Sequence, residues 1–126
     1  MKKILTLISI CFVLFSFKTT DNVPAIVNAL KTGNAEEVSK YFDNFIDLKL
    51  PEKDEIKNVG KTQASLTLQS FFKESGIKGF ELTSQREMGS LMYLAGKLQN
   101  AGKGFNITIL LKNKDSDRQI TTVRIN

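Results

Sequence analysis

Apolar positions follow a helical period over the stretch after residue 22. A first helix is predicted to begin at the Asp21-Asn22 pair, which offers a capping side chain ahead of Pro24, and to end at Gly33. Asn34 and Glu37 then resemble a capping box that opens a second helix. One face of the first helix comprises Val23, Ile26, Val27 and Leu30, and one face of the second comprises Val38, Tyr41, Phe42 and Phe45. Together they predict a short helical hairpin.

The period changes after the second helix. The segment 46–50 alternates apolar and polar residues, which predicts a strand with Asp47 and Lys49 on the face opposite the core. Pro51 ends this strand, and the polar segment 52–57 is interpreted as a connection. A third helix is predicted from Lys61 to a stop at Gly76. Its apolar side carries Ala64, Leu68, Phe71, Phe72 and Ser75.

The rest of the chain has strand character. Four strands are predicted, over 80–84, 91–98, 105–111 and 120–125, and the short turns between the later ones predict antiparallel hairpins. Helices first and a meander later indicate an α+β fold with the order α-α-β-α-β-β-β-β, not α/β. We expect the helices to pack on one face of a curved antiparallel sheet. The core is expected to be filled by Phe42, Phe45, Phe71 and Phe72.

The N-terminus has the pattern of an export signal. Lys2 and Lys3 precede the segment 4–17, which is uncharged and almost wholly apolar. About 20 apolar residues are needed to span a bilayer, so a retained anchor is the second interpretation. Lipidation of Cys11 is the third, and the bulky Ile10 before it disfavours this. We therefore predict a signal peptide over residues 1–18, a single domain over 19–126, and a periplasmic or extracellular location.

Composition narrows the possible chemistry. The 126 residues are 41% hydrophobic and 25% charged, which is typical of one globular domain. The sequence has no histidine, and its one cysteine lies in the N-terminal apolar segment. This excludes Ser-His-Asp and Cys-His nucleophilic sites, zinc sites of His or Cys, and disulfides from the domain. Without the three lysines at or before residue 18, the net charge falls from +5 to +2, so we expect no nucleic-acid partner.

Several local stretches resemble a known family. They are 26–33, 61–72, 93–98, Gly104-Phe105 and 107–112. On these the chain is similar to a bacterial family of small exported proteins, domain of unknown function 4783, within the nuclear transport factor 2-like, cystatin-like and SnoaL-like superfamily. The resemblance implies a cystatin-like cone and a tendency to form homodimers through the outer sheet face. It implies no established activity.

The resemblance also suggests where a catalytic site would be. Ketosteroid-isomerase-like members of the superfamily combine an Asp base with a Tyr and a protonated acid as oxyanion donors. The available groups here are Tyr41 or Tyr93 with Asp43 or Asp47. However, the strand alternation places Asp47 toward solvent, and the helical spacing places Tyr41 in the core. Nor do we expect a cofactor or a metal, because the segment 115–117 suits a hairpin turn better than a calcium loop.

We therefore favour a non-enzymatic binding or interaction module that works through its curved sheet. The alternative is a small-molecule enzyme of isomerase type with a pocket inside the cone. The C-terminal half also carries a cationic bias, interpreted either as a solvated strand face with protective edge lysines or as a patch for an anionic partner. The residues concerned are Lys97, Lys103, Lys112, Lys114, Arg118 and Arg124.

Overall fold

The computed structural model describes residues 22–114 and 117–126, so the predicted signal peptide lies outside the described residues. Three helices and six strands follow one another along the chain. Their bounds are α1 (Val23–Lys31), α2 (Ala35–Ser39), β1 (Phe42–Lys49), β2 (Ile56–Gly60), α3 (Lys61–Ser75), β3 (Gly79–Met88), β4 (Leu91–Gln99), β5 (Phe105–Lys114) and β6 (Asp117–Ile125). None of these helices is long and apolar enough to cross a membrane.

All six strands form one sheet in the order β2-β1-β6-β5-β4-β3. The meander of β3, β4, β5 and β6 is antiparallel throughout, as predicted, and β1 pairs with β2 antiparallel but with β6 parallel. Register shifts interrupt the pairing at four of the five interfaces. Such bulges bend strands and increase their twist, which supports the strong curvature of the sheet.

The two faces of the sheet have different environments. On β4, Met92, Leu94 and Leu98 are buried beneath the helices and define the inner face. The alternate residues, including Tyr93 and Lys97, define the outer face. Strands β5 and β6 continue the inner face, and α3 closes over it. The buried apolar side chains of these three elements are Ala64, Leu68, Phe72, Ile107, Ile109, Leu111, Ile120, Val123 and Ile125. The α+β fold class with helices on a curved sheet is thereby confirmed.

The predicted extent of the second helix is wrong. Helix α2 ends at Ser39, and the segment from Phe42 is the first half of β1. The Tyr41 carbonyl oxygen accepts a 2.7 Å hydrogen bond from the Ile120 amide, and Phe42 pairs with Ile120 in the parallel register. Aromatic residues favour strands, and the strand conformation also allows this segment to form backbone hydrogen bonds with β6 that a helix could not form. The helical spacing of Tyr41, Phe42 and Phe45 therefore did not indicate a helix.

A short strand was also missed. The segment 52–57, interpreted as a connection, contains the start of β2, which makes the order α-α-β-β-α-β-β-β-β. Every residue of β2 is exposed or half-buried, so it lacks the alternation that identifies a strand in sequence. The predicted core needs a related correction. Phe42 and Phe72 are buried and Phe71 is half-buried, but Phe45 is 62% exposed.

The helix ends combine expected and unexpected contacts. Asn34 caps α2 by accepting a 3.1 Å hydrogen bond from the Glu37 amide, and α3 ends at Gly76 in a left-handed conformation, both as predicted. Asn22 precedes α1 but makes no side-chain cap. Its amide group instead donates to the Arg118 carbonyl at 2.6 Å and accepts from the Arg118 amide at 3.3 Å. Asn22 therefore fastens the start of α1 to the start of β6.

Candidate functional site

Asp47 and Tyr93 both lie on the outer face but far apart. The strand registers pair Tyr93 with Leu110, Leu110 with Thr122, and Thr122 with Asp47. This row crosses three strand-to-strand spacings, which separates the two backbones by about 14 Å. The two residues therefore do not form one acid–base site in this fold.

Asp47 has a local partner. Its carboxylate accepts a 3.1 Å hydrogen bond from the backbone amide of Asn58, a residue with the positive φ angle of 56°. The bond spans the bulged pairing between β1 and β2 and helps hold β2 at the sheet edge. This contact gives Asp47 a structural role in the edge of the sheet.

Tyr41 and Asp43 lie on either side of the start of β1. Tyr41 is partly buried and packs against the core. The Asp43 carboxylate accepts from the Asn44 amide at 2.8 Å and from the Lys114 ammonium at 3.3 Å. These contacts, the backbone hydrogen bond above all, hold the pKa of Asp43 below its usual value. Asp43 is thus charged at neutral pH and cannot serve as the protonated oxyanion donor of an isomerase-type site.

The interior of the cone, where an isomerase-type pocket would be needed, is filled by apolar side chains. The inner face of the sheet and the helices above it contribute one continuous buried cluster of aliphatic and aromatic residues. The buried polar side chains among the described residues are Ser39 and Thr122. The described part of the chain also contains no group of three or more acidic or cysteine side chains that could hold a metal ion. The segment 115–117 lies largely outside the described residues.

An apolar area occupies one end of the outer face. Met88 pairs with Leu91 across β3 and β4, and Tyr93 pairs with Leu110 across β4 and β5. Met88 is 45% exposed and Leu91 is 39% exposed, while Tyr93 and Leu110 are half-buried. We call these four residues the outer patch. Exposed apolar side chains that adjoin one another are a common feature of interaction surfaces.

The six cations of the predicted cationic bias are not one patch. Lys114 contacts Asp43, Arg124 contacts Glu55 at 3.0 Å, and Lys112 lies beside Leu91 at the end of the outer patch. Arg118 belongs to a different environment, where it contacts Glu87 at 2.9 Å and Asn113 at 3.0 Å. Lys97 and Lys103 are left together at the opposite end of the outer face. The cations of the C-terminal half of the sequence are therefore distributed over separate parts of the folded sheet.

Lys97 and Lys103 line a groove of about 560 Å³. One wall is the turn that carries Glu52, and the other is the end of the β4–β5 hairpin. We call this feature the tip groove, and its lining residues are Pro51, Glu52, Lys97, Lys103, Gly104, Phe105, Asn106 and Asn126. Sequence reasoning missed it because residues 51–52 and 97–106 come together only through β6, which separates β1 from β5 in the sheet.

Three further grooves lie at the helices. One, of about 390 Å³, separates α2 from the end of α3, and another, of about 350 Å³, lies between α2 and the start of α3. The third, of about 380 Å³, runs between α1 and β3 and has an apolar wall of Val23, Val27 and Leu82. None of the three is lined by Tyr41, Asp43, Asp47 or Tyr93. None of these three grooves therefore brings the candidate catalytic residues together in one site.

Solved structures of similar proteins share this architecture. A DUF4783 family protein from Bacteroides uniformis is 25% identical, with 83% of this chain and 96% of that chain covered and a TM-score of 0.75. A DUF4783 family protein from Bacteroides ovatus is 26% identical, with 79% and 89% covered and a TM-score of 0.73. An uncharacterized cystatin fold protein from Novosphingobium aromaticivorans is 11% identical, with 83% and 94% covered and a TM-score of 0.62, and it supports the fold alone.

The family assignment follows from the sequence as well. No protein of curated function matches this chain. The sequence profile described as "Domain of unknown function (DUF4783)" matches residues 23–126, which includes every helix and strand described above. The chain is therefore a member of the DUF4783 family and has an NTF2-like, cystatin-like α+β fold.

Proposed function

We propose that this protein is a non-enzymatic binding module whose working surface is the outer face of its sheet. The observation that carries the proposal is the filled interior of the cone, with Asp47 and Tyr93 outside it and three strands apart. An enzyme of this architecture needs an open cavity with ionisable groups directed into it. The packed interior favours an interaction surface over the isomerase-type alternative.

The outer patch supports the choice of surface. Its side chains adjoin one another across three strands of a regular antiparallel meander, so the backbone beneath them is hydrogen-bonded and rigid. A rigid apolar surface loses little conformational freedom when it is covered, which favours association. The partner that we propose for this patch is a second copy of the chain, consistent with the homodimerisation that the family resemblance implied.

We further propose that the module acts outside the cytoplasm. The support is the N-terminal sequence, in which two lysines precede an uncharged apolar segment shorter than a bilayer span. Contact with the membrane would be confined to this segment during export.

The test of the outer patch compares two leucine variants. Leu91 lies in the outer patch, whereas Leu66 is 55% exposed on helix α3 and serves as the matched control. Leu91→Glu and Leu66→Glu introduce the same charge at exposed positions, so both variants should fold. We expect the parent domain to sediment as a dimer and Leu91→Glu to weaken its dimerisation by about tenfold or more.

Leu66→Glu should dimerise as the parent does. Analytical ultracentrifugation over a concentration series, with circular dichroism as the check of folding, measures both effects. A parent domain that remains monomeric throughout the series, or two variants with equal dissociation constants, would contradict the pairing of two copies through the outer patch.

A further inference from the structure

We propose that the tip groove binds a small hydroxylated organic anion, such as a sugar acid or a sugar phosphate. The groove encloses about 560 Å³, which is within the range of small-molecule sites. The nearest outer-patch residue on β4 is Tyr93, which lies four residues from Lys97, a distance of about 13 Å along the strand. A small ligand can therefore occupy the tip groove whether or not two copies pair through the outer patch.

Two cations of the groove are available to a ligand. Lys97 and Lys103 are exposed, and neither forms an ion pair with any residue that the structure describes. Two other cations at this end of the sheet are engaged, since Arg124 contacts Glu55 and the Lys49 ammonium donates to the Asn126 side-chain oxygen at 3.1 Å. Glu81 lies opposite Lys97 across β3 and β4, and Glu52 lines the groove, but neither is within ion-pair distance of the two lysines. Two such lysines on one concave surface favour a ligand with an anionic group.

The groove wall is preformed. The Asn100 side-chain oxygen accepts from the amides of Gly102 at 2.8 Å and Gly104 at 3.1 Å, and its nitrogen donates to the Ser75 carbonyl at 2.9 Å. Gly104 has a φ of 71°, and a Cβ there would collide with the Leu98 carbonyl oxygen, so this tight turn requires glycine. A turn held in this way presents Lys103 without a large ordering cost on binding.

The groove residues that belong to β5 or follow β6 are also held in place. The Phe105 ring packs edge-on against the Phe71 ring at a centroid distance of 5.2 Å. Asn106 and Asn126 exchange two backbone hydrogen bonds of 2.9 Å, which join the start of β5 to the end of β6. These contacts anchor the backbone of the β5 side of the groove.

The remaining polar groups indicate hydroxyls on the ligand. Asn106 has an exposed side chain that can both donate and accept, and Glu52 accepts hydrogen bonds only. Glu52 forms no ion pair with a described residue and would repel a ligand that is anionic along its whole length. A hydroxylated anion fits both walls of the groove, because its anionic group can contact the two lysines while its hydroxyl groups donate hydrogen bonds to Glu52.

The experiment is a titration of the isotopically labelled domain, followed by the amide resonances of Gly104 and Asn106. The probes are gluconate and glucose 6-phosphate, with neutral glucose and sodium chloride at matched ionic strength as controls. We expect saturable shifts with at least one anion by about 10 mM and none with glucose or chloride. The preference between gluconate and glucose 6-phosphate identifies the carboxylate or the phosphate as the favoured anionic group.

Variants test the lysines. Lys97→Gln combined with Lys103→Gln should weaken binding by about tenfold or more, because each removes a charge-assisted contact. Lys57→Gln combined with Lys112→Gln makes the same change in net charge at exposed lysines away from the groove, and should bind as the parent does. Failure of both anions to saturate, an equal response to glucose, or equal weakening in the two double variants would overturn the proposal.

Discussion

Neighbouring aromatic residues in this chain have opposite environments. Phe42 is 1% exposed beneath the helices, whereas Phe45, three residues later in the same strand, is 62% exposed. A bulge in the pairing of β1 with β6 lies between Phe42 and Asp47, so simple alternation does not assign the face of each residue between them. On α3, Phe72 is 4% exposed and Phe71 lies at the margin of the core against Phe105.

Replacement of Phe72 or Phe45 with alanine should lower the free energy of unfolding by very different amounts. Phe72→Ala removes a ring from a packed core and is expected to lower the free energy of unfolding by about 3–5 kcal/mol. Phe45→Ala removes a ring that is mostly in water and should cost about 0.5 kcal/mol or less. Chemical denaturation of both variants beside the parent provides the values. A cost of only about 1–2 kcal/mol for Phe72→Ala would indicate an open cavity in the cone and would favour the isomerase-type alternative.

Among the secondary-structure elements, helix α1 owes its position on the sheet to long-range contacts. Helix α1 is nine residues long and is marginal in isolation, so its stability depends on its buried face and on contacts with the rest of the fold. Asn22 supplies one such contact by bonding both backbone groups of Arg118, which is 96 residues away. Arg118 in turn contacts Glu87 of β3, so three separate elements meet at this point.

Asn22→Ala should loosen this junction. Both backbone groups of Arg118 would lose their partner from Asn22, and we expect a loss of about 1–2 kcal/mol in the free energy of unfolding. Asn28→Ala, an exposed change within the same helix, is the control and should be neutral or slightly stabilising because alanine favours helices. Hydrogen exchange should show faster exchange at the start of β6 in Asn22→Ala alone. Equal exchange in both variants would show that the junction does not depend on Asn22.

At the scale of the whole molecule, the sheet separates an apolar interior from an outer face with distinct ends. The outer patch lies at one end and the tip groove at the other, with small or polar residues such as Ala95 and Thr108 between them. This arrangement permits two separate binding events on one face.

Export can be tested on the protein from its native host. Intact-mass and N-terminal peptide analysis should find a mature N-terminus between Phe17 and Asn22, because the apolar segment matches a removable signal. A retained anchor would give an intact Met1 in the membrane fraction, and lipidation would give an N-terminus at Cys11. A cytoplasmic pool that retains Met1 would contradict export altogether.

Local signals in the sequence were sufficient to predict the fold class, helix α3 and the C-terminal meander. Lys61 and Gly76 bound α3 as expected, and the predicted strands 91–98 and 105–111 lie within β4 and β5, because these signals are local. The family resemblance rests on the same stretches and is confirmed over residues 23–126. For the candidate site, the alternation around Asp47 was sufficient to place its side chain away from the core.

The start of β1, the presence of β2 and the grouping of the cations depend on contacts between distant segments and could not be predicted from local patterns. Residues 41–45 have helical spacing and lack strand alternation because a bulge interrupts their pairing, and it is the pairing of Phe42 with Ile120, 78 positions later, that makes them a strand. Strand β2 has no buried face to leave a pattern in the sequence. The tip groove joins residues 51–52 to residues 97–106 through β6, a relation set by the order of strands in the sheet. Local patterns record burial and backbone preference, whereas these features depend on contacts between distant segments.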